Sequence, residues 1–126
     1  MKFIIGGAYQ GKKKMALNRD NLLVVDGKDE VSLCEWKDKE VDVFLNLHLY
    51  IKQRLEKECN PFEEIKEFLH SHKEITIVCD EIGYGIVPMT RFDREYRELT
   101  GRIGCFIAEQ ADEVIRVFCG IGRKIK

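Results

Sequence analysis

An apolar run, Phe3-Ile4-Ile5, passes directly into Gly6-Gly7-Ala8-Tyr9-Gln10-Gly11-Lys12-Lys13. A strand that breaks into glycines and then a lysine is the pattern of a phosphate-cradling loop. Glycines let successive backbone N–H groups turn towards an anion. A helix that starts at the end of the loop adds free N–H groups and the positive end of its dipole. Gly6 and Gly11 have the spacing of that motif, and Lys12 stands where its lysine reaches the outer phosphates. Position 13 departs from the pattern: a Ser or Thr hydroxyl that ligates magnesium is expected there, and this chain has Lys13.

The 126 residues suit one α/β domain, 1–126, with a core of its own. A formal net charge of −1 gives no long-range field to attract nucleic acid or an anionic membrane. No apolar run approaches the ~20 residues of a membrane span, and the first residues do not read as a secretory signal. The five cysteines (Cys34, Cys59, Cys79, Cys105, Cys119) include no close pair, which argues against a disulfide framework or zinc site. They read as buried hydrophobes or incidental thiols in a reducing cytoplasm.

The remaining pattern alternates strands with helices. Residues 2–5, 22–25, 41–45, 75–79 and 114–118 read as five strands. A short helix is expected over 12–18 and another over 47–58. A third starts at Asn60-Pro61, where Asn60 caps and Pro61 suits the first helical turn. Thr90, with Asp93 three residues on, caps the longest helix. Residues 28–40 are charged and aperiodic, an irregular connection or short edge strand, and Gly120 and Gly122 end the fifth strand. Such alternation implies a mostly parallel sheet with helices on both faces. Ligands then bind beyond the carboxyl ends of the strands, at the loops 6–13, 26–28, 46–48 and 80–88. Asp26 and Gly27 are accordingly assigned to the nucleotide side, together with Asn46.

The run Glu81-Ile82-Gly83-Tyr84-Gly85-Ile86-Val87-Pro88 resembles a glycine block of the bifunctional adenosylcobinamide kinase/adenosylcobinamide-phosphate guanylyltransferases of cobalamin biosynthesis. Arg91, Arg94, Arg97, Gly101-Arg102, Ala111-Asp112-Glu113-Val114 and the closing Gly120–Lys126 stretch follow in the same register, and Gly6–Lys12 is similar to that family's phosphate loop. The resemblance implies a P-loop NTPase-like three-layer fold that binds ATP or GTP and phosphorylates a corrinoid side-chain hydroxyl. It also implies GMP transfer through a histidine, and a homo-trimer. Lys12 and Glu81 would carry the chemistry, with Gly83, Gly85 and Pro88 on the substrate side.

Three departures stand against a full carry-over. Lys13 replaces the metal-binding hydroxyl. Asn46 stands where the family has an acidic residue. No histidine lies between Met1 and Leu47, where the family keeps the one that takes GMP. Lys13 and Asn46 together argue against a magnesium seat, since magnesium prefers carboxylate and phosphate oxygens. The Lys13 ammonium either marks lost turnover or supplies part of the missing charge. His48, beside apolar residues, reads as structural, and His70 and His72 suit a helix end. Glu81 either orients a nucleoside sugar, accepts a substrate proton, or is bonded to its own loop. Arg91, Arg94, Arg97 and Arg102 read as a solvated helix face. A non-catalytic nucleotide-binding protein that keeps the fold is the competing expectation.

Overall fold

The protein is described by a computed structural model over residues 1–83 and 89–126. In chain order its elements are β1 (Lys2–Gly6), α1 (Lys12–Ala16), β2 (Val24–Asp26), β3 (Val43–Leu45), α2 (Leu47–Glu56), α3 (Pro61–Ser71), β4 (Thr76–Asp80), α4 (Arg91–Gln110), β5 (Glu113–Phe118) and β6 (Ile121–Lys124). A single 3₁₀ turn over Leu33–Trp36 interrupts the aperiodic stretch between β2 and β3.

The sheet runs β2-β3-β4-β1-β5-β6, parallel throughout except at its last step. It therefore has six strands where the sequence suggests five. The added strand, β6, folds back antiparallel on β5 around Cys119-Gly120. Both turn residues adopt positive φ, 48° and 78°, the pairing that a tight two-residue hairpin demands. All of β6 is exposed, so no buried alternation marks it in the sequence. The phosphate-loop helix is also shorter than expected, ending at Ala16.

Period-two alternation divides the core between two faces. Phe3, Phe44, Ile77 and Cys79 point to one side, where Tyr50 and Ile51 of α2, Ile65 and Phe68 of α3, and Ile103 and Ile107 of α4 cover them. Ile4, Val43, Leu45, Val78 and Val117 point to the other, against Ala16 and Met15 of α1. These layers are the three-layer α/β arrangement anticipated above.

Helix ends follow their local signals. The Asn60 side chain accepts from the Glu63 N–H at 3.3 Å, and Thr90 Oγ1 accepts from the Asp93 N–H at 3.0 Å. Arg91 pairs with Glu95 one turn on, at 2.9 Å. Among the described residues no helix is long and apolar enough to cross a membrane. All five cysteines are free thiols.

Candidate functional site

The parallel register places Gly6, the last residue of β1, opposite Asp80, the last residue of β4. The loop after β1 thus starts beside the carboxylate that closes β4. The loop turns at Gly11, whose φ of 95° favours a residue without a side chain, and Lys12 is the first residue of α1. From there the lysine folds back into the loop. Its Nζ lies 2.7 Å from Asp80 Oδ1 and donates to the carbonyl of Gly7. Lys12 is only 5% exposed, a burial that a lysine tolerates only when paired.

A cleft of about 430 Å³ opens over this pair, lined by Ala8 through Lys13, Leu45, Asn46, His48, Leu49, Val78 and Asp80. Sequence reasoning missed Asp80 as a site residue. Its one signal is an acidic residue closing an apolar strand, directly before Glu81, on which the sequence pattern centres. The Glu81 N–H donates to the Gly6 carbonyl at 2.8 Å, which brings this loop against the phosphate loop. Its carboxylate is engaged twice by Arg116 of β5, at 2.7 and 3.0 Å.

His48, in the first turn of α2, faces Asp80 with both ring nitrogens. The Asp80 backbone N–H donates to Nδ1 at 3.2 Å, which makes Nδ1 the acceptor and leaves the ring proton on Nε2. Nε2 lies 3.4 Å from Asp80 Oδ2. Burial pushes the imidazole pKa below its ordinary value, more strongly than the nearby Asp80 carboxylate raises it. Tyr96 of α4 donates to the His48 carbonyl at 3.0 Å, tying α2 to α4 at the cleft wall. Burial pushes the adjacent Cys79 thiol up to about 12, so it is protonated and unreactive.

The other anticipated site residues divide. Ala8, Tyr9, Gln10, Gly11, Lys13 and Asn46 line the cleft with Lys12. Tyr9, at the loop tip, is fully exposed with φ of 57°. Gly6 and Gly7 form the base of the loop. Asp26 and Gly27 lie beyond the lining, with Asp26 Oδ1 accepting from Asn46 Nδ2 at 2.8 Å. Gly27 packs under the start of α2: a Cβ there would stand 3.0 Å from the Cβ and N of Tyr50. Gly83 rests against Arg97, while Gly85 and Pro88 lie outside the described residues. Because α1 spans only five residues, its dipole is that of little more than one turn, and the cradle rests on the loop and Lys12.

Magnesium, which phosphate-loop chemistry implies, does not fit these residues in the usual way. An ammonium, Lys13, stands in place of the hydroxyl. Both Asp80 oxygens face cationic or N–H partners, and the Asn46 amide N–H serves Asp26. Among the described residues no three His, Cys, Asp or Glu side chains gather into a metal cage.

Fold and site together define a P-loop-like α/β domain, with a glycine-rich loop and lysine at the carboxyl edge of a parallel sheet. Comparison with known proteins then narrows the class. The family described as cobinamide kinase / cobinamide phosphate guanyltransferase matches residues 32–125, and the chain belongs to this CobU family. The glycine-rich loop and Lys12 lie before the matched range. The bifunctional adenosylcobalamin biosynthesis protein CobU of Salmonella typhimurium strain LT2 is 45% identical over 53 residues, 42% of this chain and 29% of that protein. Its counterpart from Escherichia coli K12 is 43% identical over the same shares. The matched segment thus spans under a third of either relative.

Proposed function

We propose that the cleft holds the phosphate tail of ATP or GTP and that the chain acts as a cobinamide-kinase-type domain, passing a terminal phosphoryl group to a corrinoid hydroxyl. The observation that carries this reading is the buried Lys12 ammonium, 2.7 Å from Asp80 inside a glycine-rich loop. A triphosphate entering the loop would draw that ammonium onto its own oxygens, where positive charge stabilises the transferring group. Asp80, thereby released, is the cleft carboxylate placed to accept the hydroxyl proton. The corrinoid oxygen gains the phosphoryl group and a nucleoside diphosphate leaves. Glu81, held by Arg116, then positions the loop rather than meeting substrate. Guanylyl transfer is outside this proposal, because the histidine at the cleft, His48, has both ring nitrogens turned to Asp80.

The second reading is a nucleotide-binding protein without turnover, and Lys13 favours it. An ammonium supplies one charge but cannot bridge two phosphate oxygens as a divalent ion does.

Thermal unfolding with ATP or GTP, with magnesium and then with a chelator, tests both readings. A ligand at a hundred times its dissociation constant stabilises by about 2.7 kcal/mol. The expected outcome is nucleotide stabilisation that survives chelation, with Lys13→Ser making it magnesium-dependent. Corrinoid phosphorylation in the same samples separates kinase from binder. Absence of any nucleotide shift refutes the site.

A further inference from the structure

Apart from the Lys12 bond to the Gly7 carbonyl, little within the phosphate loop holds its own shape. Gly6, Gly7 and Gly11 leave the backbone free, α1 is five residues long, and its cap position, Gly11, offers no side-chain bond. Tyr9 at the tip is held at positive φ, a conformation that persists for a bulky residue only where surroundings impose it. Beyond the bonds at its base, the tip is restrained from the other end of the chain. The Cys119 N–H donates to Gln10 Oε1 at 2.6 Å, and the Gly120 N–H donates to the Gln10 carbonyl at 2.8 Å. These consecutive N–H groups belong to the β5–β6 turn, where both residues are left-handed.

Packing continues the contact in both directions. A Cβ on Gly11 would stand 3.1 Å from Gly120 Cα, and one on Gly122 would stand 2.6 Å from Met15 Cε. The hairpin thus lies along the loop and along α1, and the absence of side chains at Gly11 and Gly122 allows that approach. Gln10 is the residue through which side chain and main chain both meet it.

We propose that the β5–β6 turn, gripped through Gln10, holds the phosphate loop in its anion-binding shape, so that Gln10 is a positioning residue for the nucleotide. The proposal rests on the nucleotide reading above, but the latch itself has a readout in the free protein. Hydrogen exchange of the Cys119 and Gly120 amides, the donors that meet Gln10, is compared in the parent, Gln10→Met and Gln10→Glu, together with ATP affinity and the unfolding midpoint. Met keeps the length and removes the acceptor; Glu keeps the acceptor.

Gln10→Met is expected to speed exchange of the Cys119 amide about tenfold and to weaken ATP about tenfold, the effect of losing one modest hydrogen bond, with the unfolding midpoint close to the parent's. Gln10→Glu is expected to restore protection of the Cys119 amide whatever its added charge does to ATP. Parental protection in Gln10→Met, or equal loss of protection in both variants, overturns the latch. Lost protection with unchanged ATP affinity overturns the positioning role. If the parent binds neither ATP nor GTP, the nucleotide reading fails by itself, and the exchange comparison still decides whether the hairpin holds the loop.

Discussion

Replacing Lys12 by Met removes the ammonium and keeps most of the side-chain volume. The loss is then electrostatic. Asp80 keeps its weaker approach to His48 and loses its closest cation, at 2.7 Å. Breaking a fully buried pair from one side costs about 3–5 kcal/mol, because the remaining charge is left unpaired. Asp80 retains 24% exposure, so water takes up part of that penalty and about 2–3 kcal/mol is expected. For a chain of this size each kcal/mol moves the unfolding midpoint by roughly 3–5 °C, which puts Lys12→Met about 6–15 °C below the parent.

A double-mutant cycle with Asp80→Asn separates this cause from lost packing. If the orphaned carboxylate is responsible, adding Asp80→Asn to Lys12→Met restores about 1–2 kcal/mol, a coupling typical of residues in direct contact. Calorimetry or urea unfolding measures all four proteins. Additive effects, or a Lys12→Met protein as stable as the parent, would refute the reasoning. The same samples report on binding. Asp80→Asn frees the ammonium and removes a negative charge from the cleft, so ATP affinity without magnesium should rise, while Lys12→Met should abolish the nucleotide shift.

Three further substitutions concern stability alone. The folded-state pKa of His48 lies below its ordinary value of 6.5, so the unfolded chain takes up that proton more readily. Its share of stability is full above pH 6.5 and falls as pH drops below that value. Asp80, Lys12 and Asp26 are the charged groups acting on it, and His48→Gln should flatten the unfolding midpoint between pH 7 and 5.5 relative to the parent. Gly27→Ala should destabilise by about 1–3 kcal/mol, because the added methyl meets Tyr50 and the Asn46 carbonyl in a packed interior. Gly101→Ala, on α4 with open space around it, should stabilise by up to about 1 kcal/mol; urea midpoints of the same sign in both would count against this reading.

What was legible in the sequence was local. Asn60-Pro61 and Thr90 with Asp93 announce their helices because capping is decided within four residues. The strands of the central sheet announce themselves because both faces are buried and their side chains are almost all apolar. The glycine-rich turn after β1 and the helix that Lys12 opens are legible because they too fall within one short window. Three things were not. β6 has no buried residue, so nothing in its composition distinguishes Ile121–Lys124 from a tail. Asp80 gains its meaning from parallel pairing with β1, which no short window contains. The bonds of Gln10 to Cys119 and Gly120 join opposite ends of the chain, and a glutamine carries no motif that points to a distant N–H.

The strand order also dictates when the cleft can exist. β1 lies between β4 and β5, with Lys2 opposite both Thr76 and Glu113. During synthesis this strand is made early, and both of its edges wait for partners made much later. Contacts so distant along the chain slow folding, and an apolar strand with two open edges invites pairing with other chains. Refolding should therefore be sensitive to protein concentration, and the cleft can close only after β4, which carries Asp80, has been made.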